Sequence, residues 1–162
     1  MNSLLTLAAL LGVAGCADRG PPPGVFDGID AQIGHMDAQE GAHLQAIRSA
    51  ASLPAVLTEA AAHRDHISGE FESIRAGIDT LAKCTVRTSV NLDTSGLHAA
   101  LQDVIAEEDR HSNELRTAPD VPTAIALGER HNDAMTRQTG LVAYLRSQRD
   151  DLANRAATAE CP

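Results

Sequence analysis

One offset, 68 residues, constrains this chain more than any other feature. It carries Pro54 onto Pro122, Glu40 onto Glu108, His43 onto His111, His63 onto His131 and Asp65 onto Asp133, and it brings Leu53 and Val56 onto Val121 and Ala124. So many polar and proline identities at one spacing indicate an internal duplication, so that whatever one half folds into, the other half repeats. Within each half the apolar positions recur at three and four, and alanine and leucine are abundant, which predicts helices. Four segments carry this pattern, near residues 27–50, 53–83, 94–117 and 121–157. Ser52 and Asp120 are the expected N-caps of the second and fourth. Each is followed two residues later by a proline, Pro54 or Pro122, in a first turn where a missing N–H is harmless. The expected fold is therefore all-α, an up-down-up-down four-helix bundle of two duplicated helical hairpins, about 27–83 and 94–157. Its two short turns lie at one end and the longer connection 85–95 at the other.

The core seams of these helices contain polar residues. Alternating steps of four and three give Ile29, Ile33, Met36, Glu40, His43 and Ile47 on the first helix, and Leu97, Leu101, Val104, Glu108, His111 and Leu115 on the third. The second seam runs Val56, Ala60, His63, Ile67, Glu70, Ile74, and the fourth Gly128, His131, Met135, Gln138, Val142, Leu145. In an antiparallel hairpin, residues equally far from the turn centre lie level. Glu40 and His63 are equidistant from the first turn, and Glu108 and His131 from the second. His43 and His111 sit one turn nearer the loops, about 4.5 Å along the axis. Six ligand-type residues are thus expected in one slab of the bundle.

Buried carboxylates each cost several kcal/mol unless paired, against a total stability of roughly 5–15 kcal/mol. Divalent ions neutralise such charge and take lone pairs from neutral imidazoles. Glu40-Gly41-Ala42-His43 and Glu108-Asp109-Arg110-His111 resemble the Glu-x-x-His motifs of the ferritin-like di-metal carboxylate bundles. By that resemblance Glu40 and Glu108 would bridge two metals, with His43 and His111 as terminal ligands. The chain departs from the family in offering His63 and His131 where it uses glutamate, and in carrying the motifs on the first and third helices. Four imidazoles with two carboxylates make a softer site, open to zinc or copper as well as iron or manganese.

Other readings of the same residues stand beside this one. Facing histidines can hold a haem, but haem takes only two axial ligands and needs small residues opening a slot, which leaves four polar core groups without a role. A metal-free buried Glu–His network is the third reading. Glu70 and Gln138 occupy matching seam positions that can close the polar layer or pair with each other, and His66, Asp65 and Asp133 read either as solvated surface residues or as supporting contacts to the ligands. His35 and His98 fall beside the seam as surface residues, Met36 and Met135 read as core filling, and Tyr144 is the only tyrosine.

The apolar run 4–13 is too short to span a bilayer and is followed by small residues. Val13-Ala14-Gly15-Cys16 resembles the lipobox of bacterial lipoproteins, although no lysine or arginine precedes the apolar run. That resemblance implies a signal peptide over 1–15 and a lipidated Cys16 facing the periplasm or cell exterior, with a Pro/Gly-rich tether through residue 25 and a single bundle domain, 26–162. In such an oxidising compartment Cys84 and Cys161 are candidates for a disulfide. The acidic balance, 22 Asp and Glu against 13 Lys and Arg, and 2% aromatics argue against nucleic-acid binding. A lipid-anchored protein that sequesters, buffers or senses transition-metal ions, about two per chain, is the first functional expectation. A di-metal oxidase or ferroxidase-type enzyme and a metal-free structural lipoprotein are the alternatives.

Overall fold

The computed structural model describes residues 20–86 and 90–162. The expected leader and Cys16 lie outside the described residues. The chain forms helices α1 (Val25–Ser49), α2 (Leu53–Leu81), α3 (Ser95–Thr117), α4 (Val121–Thr136) and α5 (Leu141–Ala156), with two-residue strands β1 (Thr85–Val86) and β2 (Val90–Asn91) between α2 and α3. It is an all-α helical bundle. Helices α1 and α3 each pack against α2, α4 and α5, so α4 and α5 together supply the fourth wall. Among the described residues no helix is long and apolar enough to cross a membrane.

Both expected caps are present. Ser52 Oγ accepts from the Ala55 N–H at 3.4 Å and Asp120 Oδ1 from the Thr123 N–H at 2.8 Å, each ahead of its proline. One expectation fails: the helix foreseen over 121–157 is two helices. Arg137 leaves helical geometry at ψ 157°, and Gly140, not a helical residue, caps α5. The Gly140 N–H donates to the Arg137 carbonyl at 2.7 Å. A Cβ at position 140 would lie 2.7 Å from the Met135 carbonyl oxygen and 2.8 Å from that of Ala134, so the close turn requires glycine. The seam pattern continued through this segment because Val142 and Leu145 are buried beyond the break. Gln138 does not join the core: it is exposed on the turn and does not pair with Glu70.

The connection 85–95 holds the small antiparallel ribbon, with Thr85 opposite Asn91 and Val86 opposite Val90. The C-terminal tail bridges to it, Thr85 and Glu160 exchanging backbone hydrogen bonds of 2.7 and 2.8 Å. Beside this bridge Cys84 and Cys161 are joined by a disulfide across 77 residues of sequence.

The apolar interior is divided in two. A large cluster, including Ile33, Met36, Ile67, Phe71, Ile74 and Leu101, fills the disulfide end, and a small one of Ile47, Val56, Leu115 and Ala124 fills the end with the short links. Between these clusters every wall carries buried polar residues. Glu40 and His43 separate Met36 from Ile47, His63 separates Val56 from Ile67, Glu108 and His111 separate Val104 from Leu115, and His131 separates Ala124 from Met135.

Candidate metal centre

Each wall of the bundle contributes to this polar layer, and all six of its residues are at most 7% exposed. Glu40, His63, Glu108 and His131 each direct one oxygen or nitrogen so that the four atoms lie within 4.8 Å of one another. His63 Nε2 is 3.6 Å from Glu40 Oε1 and 3.6 Å from Glu108 Oε2. His131 Nε2 is 2.9 Å from Glu40 Oε2 and 3.2 Å from Glu108 Oε1. Each carboxylate therefore turns one oxygen to each imidazole. Despite these distances, none of the four carboxylate oxygens nor either Nε2 completes a hydrogen bond among the described residues. These six atoms converge on a shared space.

That geometry fits a cation. Bonds of about 2.0–2.2 Å to a tetrahedral ion place neighbouring ligand atoms about 3.3–3.6 Å apart. The four cross-distances here, 2.9 to 3.6 Å, are of that order and use both oxygens of each carboxylate, while one donor atom from each residue brings the four within 4.8 Å of one another. Without a metal ion, the two buried carboxylates depend on protonated His63 and His131 to offset their desolvation.

His43 and His111 lie in the same layer but face each other, Nε2 to Nε2 at 3.2 Å. Only one of two neutral rings can donate in such a pair, so they adopt different tautomers. His43 stacks on His63 with ring centres 4.1 Å apart, and His111 on His131 at 4.0 Å. The four imidazoles thus form two stacked pairs that carry the same relation in both halves of the chain.

The electrostatics separate the two kinds of histidine. Burial, reinforced by the cationic neighbours His63 and His131, lowers His43 to about 3 and His111 to about 2, so both rings stay neutral. Burial also works against His63 and His131. It is outweighed there by Glu108 and Glu40, which raise His63 to about 9, and by Glu107, Glu108 and Glu40, which raise His131 to about 11. Burial opposes ionisation of Glu108, but His131 and His63 prevail and hold its carboxyl well below the usual range.

The chain matches no protein-family model, no curated protein and no solved structure. Its own geometry therefore carries the reading.

Several of the expected supporting residues do not reach the layer. Asp65 and Asp133 are exposed, the latter paired with Arg137 four residues on, because two residues from a core position a helical side chain faces away. Gln138 is on the turn between α4 and α5. His66 is exposed and lies beside Glu70, 3.6 Å away, not in the layer. Glu70 is buried as the seam required. Tyr144 is 45% exposed on α5, which removes it from the interior chemistry. Met36 and Met135 are core filling.

Glu107 is the residue that the sequence reading missed. Its Oε1 lies 3.1 Å from His131 Nδ1, and Arg110 pairs with both of its oxygens, Nε to Oε2 at 2.8 Å. Burial opposes its charge, but the contacts to His131 and Arg110 hold its carboxyl below the ordinary value. A metal-bound imidazole commonly gives its outward N–H to a carboxylate, which was the available signal for a glutamate on the flank of α3.

Proposed function

We propose that this chain is an exported lipoprotein, anchored through Cys16, that holds transition-metal ions between Glu40, His63, Glu108 and His131 in order to sequester, buffer or sense them. The observation that supports this most directly is the convergence of four carboxylate oxygens and two imidazole nitrogens, none completing a hydrogen bond, inside a buried layer. Mixed nitrogen and oxygen donors suit zinc, copper, iron or manganese. His43 and His111 stand beside the four as neutral imidazoles, available as terminal ligands of the kind that the ferritin-like resemblance implies. We read the bundle as up-down-up-down and as a duplication. The paired stacking of His43 on His63 and His111 on His131 supports that reading.

A di-metal oxidase is the second reading, favoured by one feature: each carboxylate offers its two oxygens to different imidazoles, as a bridging ligand between two ions does. Elemental analysis and Zn(II), Cu(II), Fe(II) and Mn(II) titration of the purified protein test both. One to two tightly bound ions per chain, lost in a Glu40→Gln/Glu108→Gln variant that keeps its helical circular dichroism, is the expected result. Wild-type protein that takes up none of these ions would overturn the metal reading. Two irons per chain with oxygen consumption on adding ferrous ion would select the oxidase; binding without turnover selects storage or sensing.

A further inference from the structure

A third buried carboxylate lies outside the polar layer. Glu70 is 6% exposed, and neither of its oxygens has a hydrogen-bond partner among the described residues. Its neighbours are imidazoles. His66, one turn earlier on α2, places Nε2 3.6 Å from Glu70 Oε1, and His35, across the interface on α1, places Nδ1 4.0 Å from the same oxygen. These rings are 57% and 67% exposed, so the cluster is open to solvent on one side and floored by a buried acid on the other.

Two imidazoles and a carboxylate, with room for water in the remaining positions, are the donor set of an open transition-metal site. The three groups do not close as tightly as the inner four, which alone among the described residues come within 4.8 Å of one another. Exposed rings can rotate between rotamers to reach an ion above Glu70. Glu70 lies seven residues beyond His63 on the buried face of α2, about 10.5 Å along the axis; burial raises its carboxyl, and His66 and His35 pull it back. The cluster therefore lies about two helical turns from the inner centre, with its imidazoles in solvent.

We propose that His35, His66 and Glu70 form an outer site for a divalent transition-metal ion, which takes the ion from solvent and passes it to the inner centre. The transfer rests on the reading given under Proposed function; the outer site does not. Because His35 and His66 are exposed, replacing both with alanine leaves the core intact, and circular dichroism checks this. Calorimetric Co(II) titration of the wild-type protein should show a weak and a tight class of ion. The His35→Ala/His66→Ala variant should lose the weak class, keep the tight affinity within about twofold, and fill the tight class about tenfold more slowly in stopped-flow absorbance. The Glu40→Gln/Glu108→Gln variant should keep the weak class alone. Wild-type protein with only a tight class, or a double-alanine variant that binds as many ions as fast as wild type, overturns the outer site. Loss of the weak class with no change in filling rate overturns the transfer. If wild type shows only a weak class that the double-alanine variant abolishes, the inner reading fails and the outer site stands.

Discussion

Glu107 grips His131 by the nitrogen that faces away from the centre, and so fixes which nitrogen faces inward. Glu107→Ala is expected to weaken metal binding about tenfold to a hundredfold without changing the number of ions, as measured by competition with a chelating dye. The metal-free protein should also show opposing pH limbs. His63 and His131 have folded values of about 9 and 11, above the unfolded 6.5, so their contribution is complete below pH 6.5 and fades as pH rises through 9. His43 and His111, lowered to about 3 and 2, contribute above pH 6.5 and lose that contribution as pH falls toward 3. Urea midpoints of the metal-free protein should therefore peak near pH 6.5 and drop on both sides; a midpoint rising steadily from pH 6 to pH 9 would contradict this. At this scale the inner four residues were legible because helical period and distance from the turn are local properties. Glu107 and the mutual pairing of His43 with His111 were not, because they depend on rotamers chosen after the helices meet.

At the scale of elements, the two proline-marked starts were legible because a cap needs only its own side chain and the next three residues. The division of the last helix was not. Residues 136–140 are Thr-Arg-Gln-Thr-Gly, a polar run compatible with a solvated helix face, and only the close approach of Gly140 to the Met135 carbonyl requires a break. In the first half the stretch 68 residues earlier runs unbroken through α2 and buries Glu70, so the sequence offset pointed to continuity where the second half has none. Gly140→Ala should cost about 1–3 kcal/mol in urea denaturation, because the added methyl meets backbone oxygen that cannot swing away. Loss of less than a few tenths would mean that the turn relaxes freely.

For the whole molecule, the expected pairing of Cys84 with Cys161 closes the end remote from the short links and ties the tail to the β1–β2 ribbon. A Cys84→Ser/Cys161→Ser variant should lose roughly 2–5 kcal/mol, since a cross-link over so long a segment restricts the unfolded chain. Differential scanning calorimetry under reducing and oxidising conditions should give the same difference for the wild-type protein. The ribbon itself was not legible: two-residue strands carry no periodicity, and their pairing depends on where the tail returns.

The unequal partition of the interior has a consequence for how the molecule comes apart. Four residues, Ile47, Val56, Leu115 and Ala124, stand between the charged layer and the short links, whereas the far side combines a much larger apolar mass with a covalent clasp. Without metal, opening should begin at the links and run toward the clasp. Amide hydrogens around residues 44–60 and 112–127 would then exchange well before those of 70–80 and 97–104, and an ion held by all four walls would bring the two sets together.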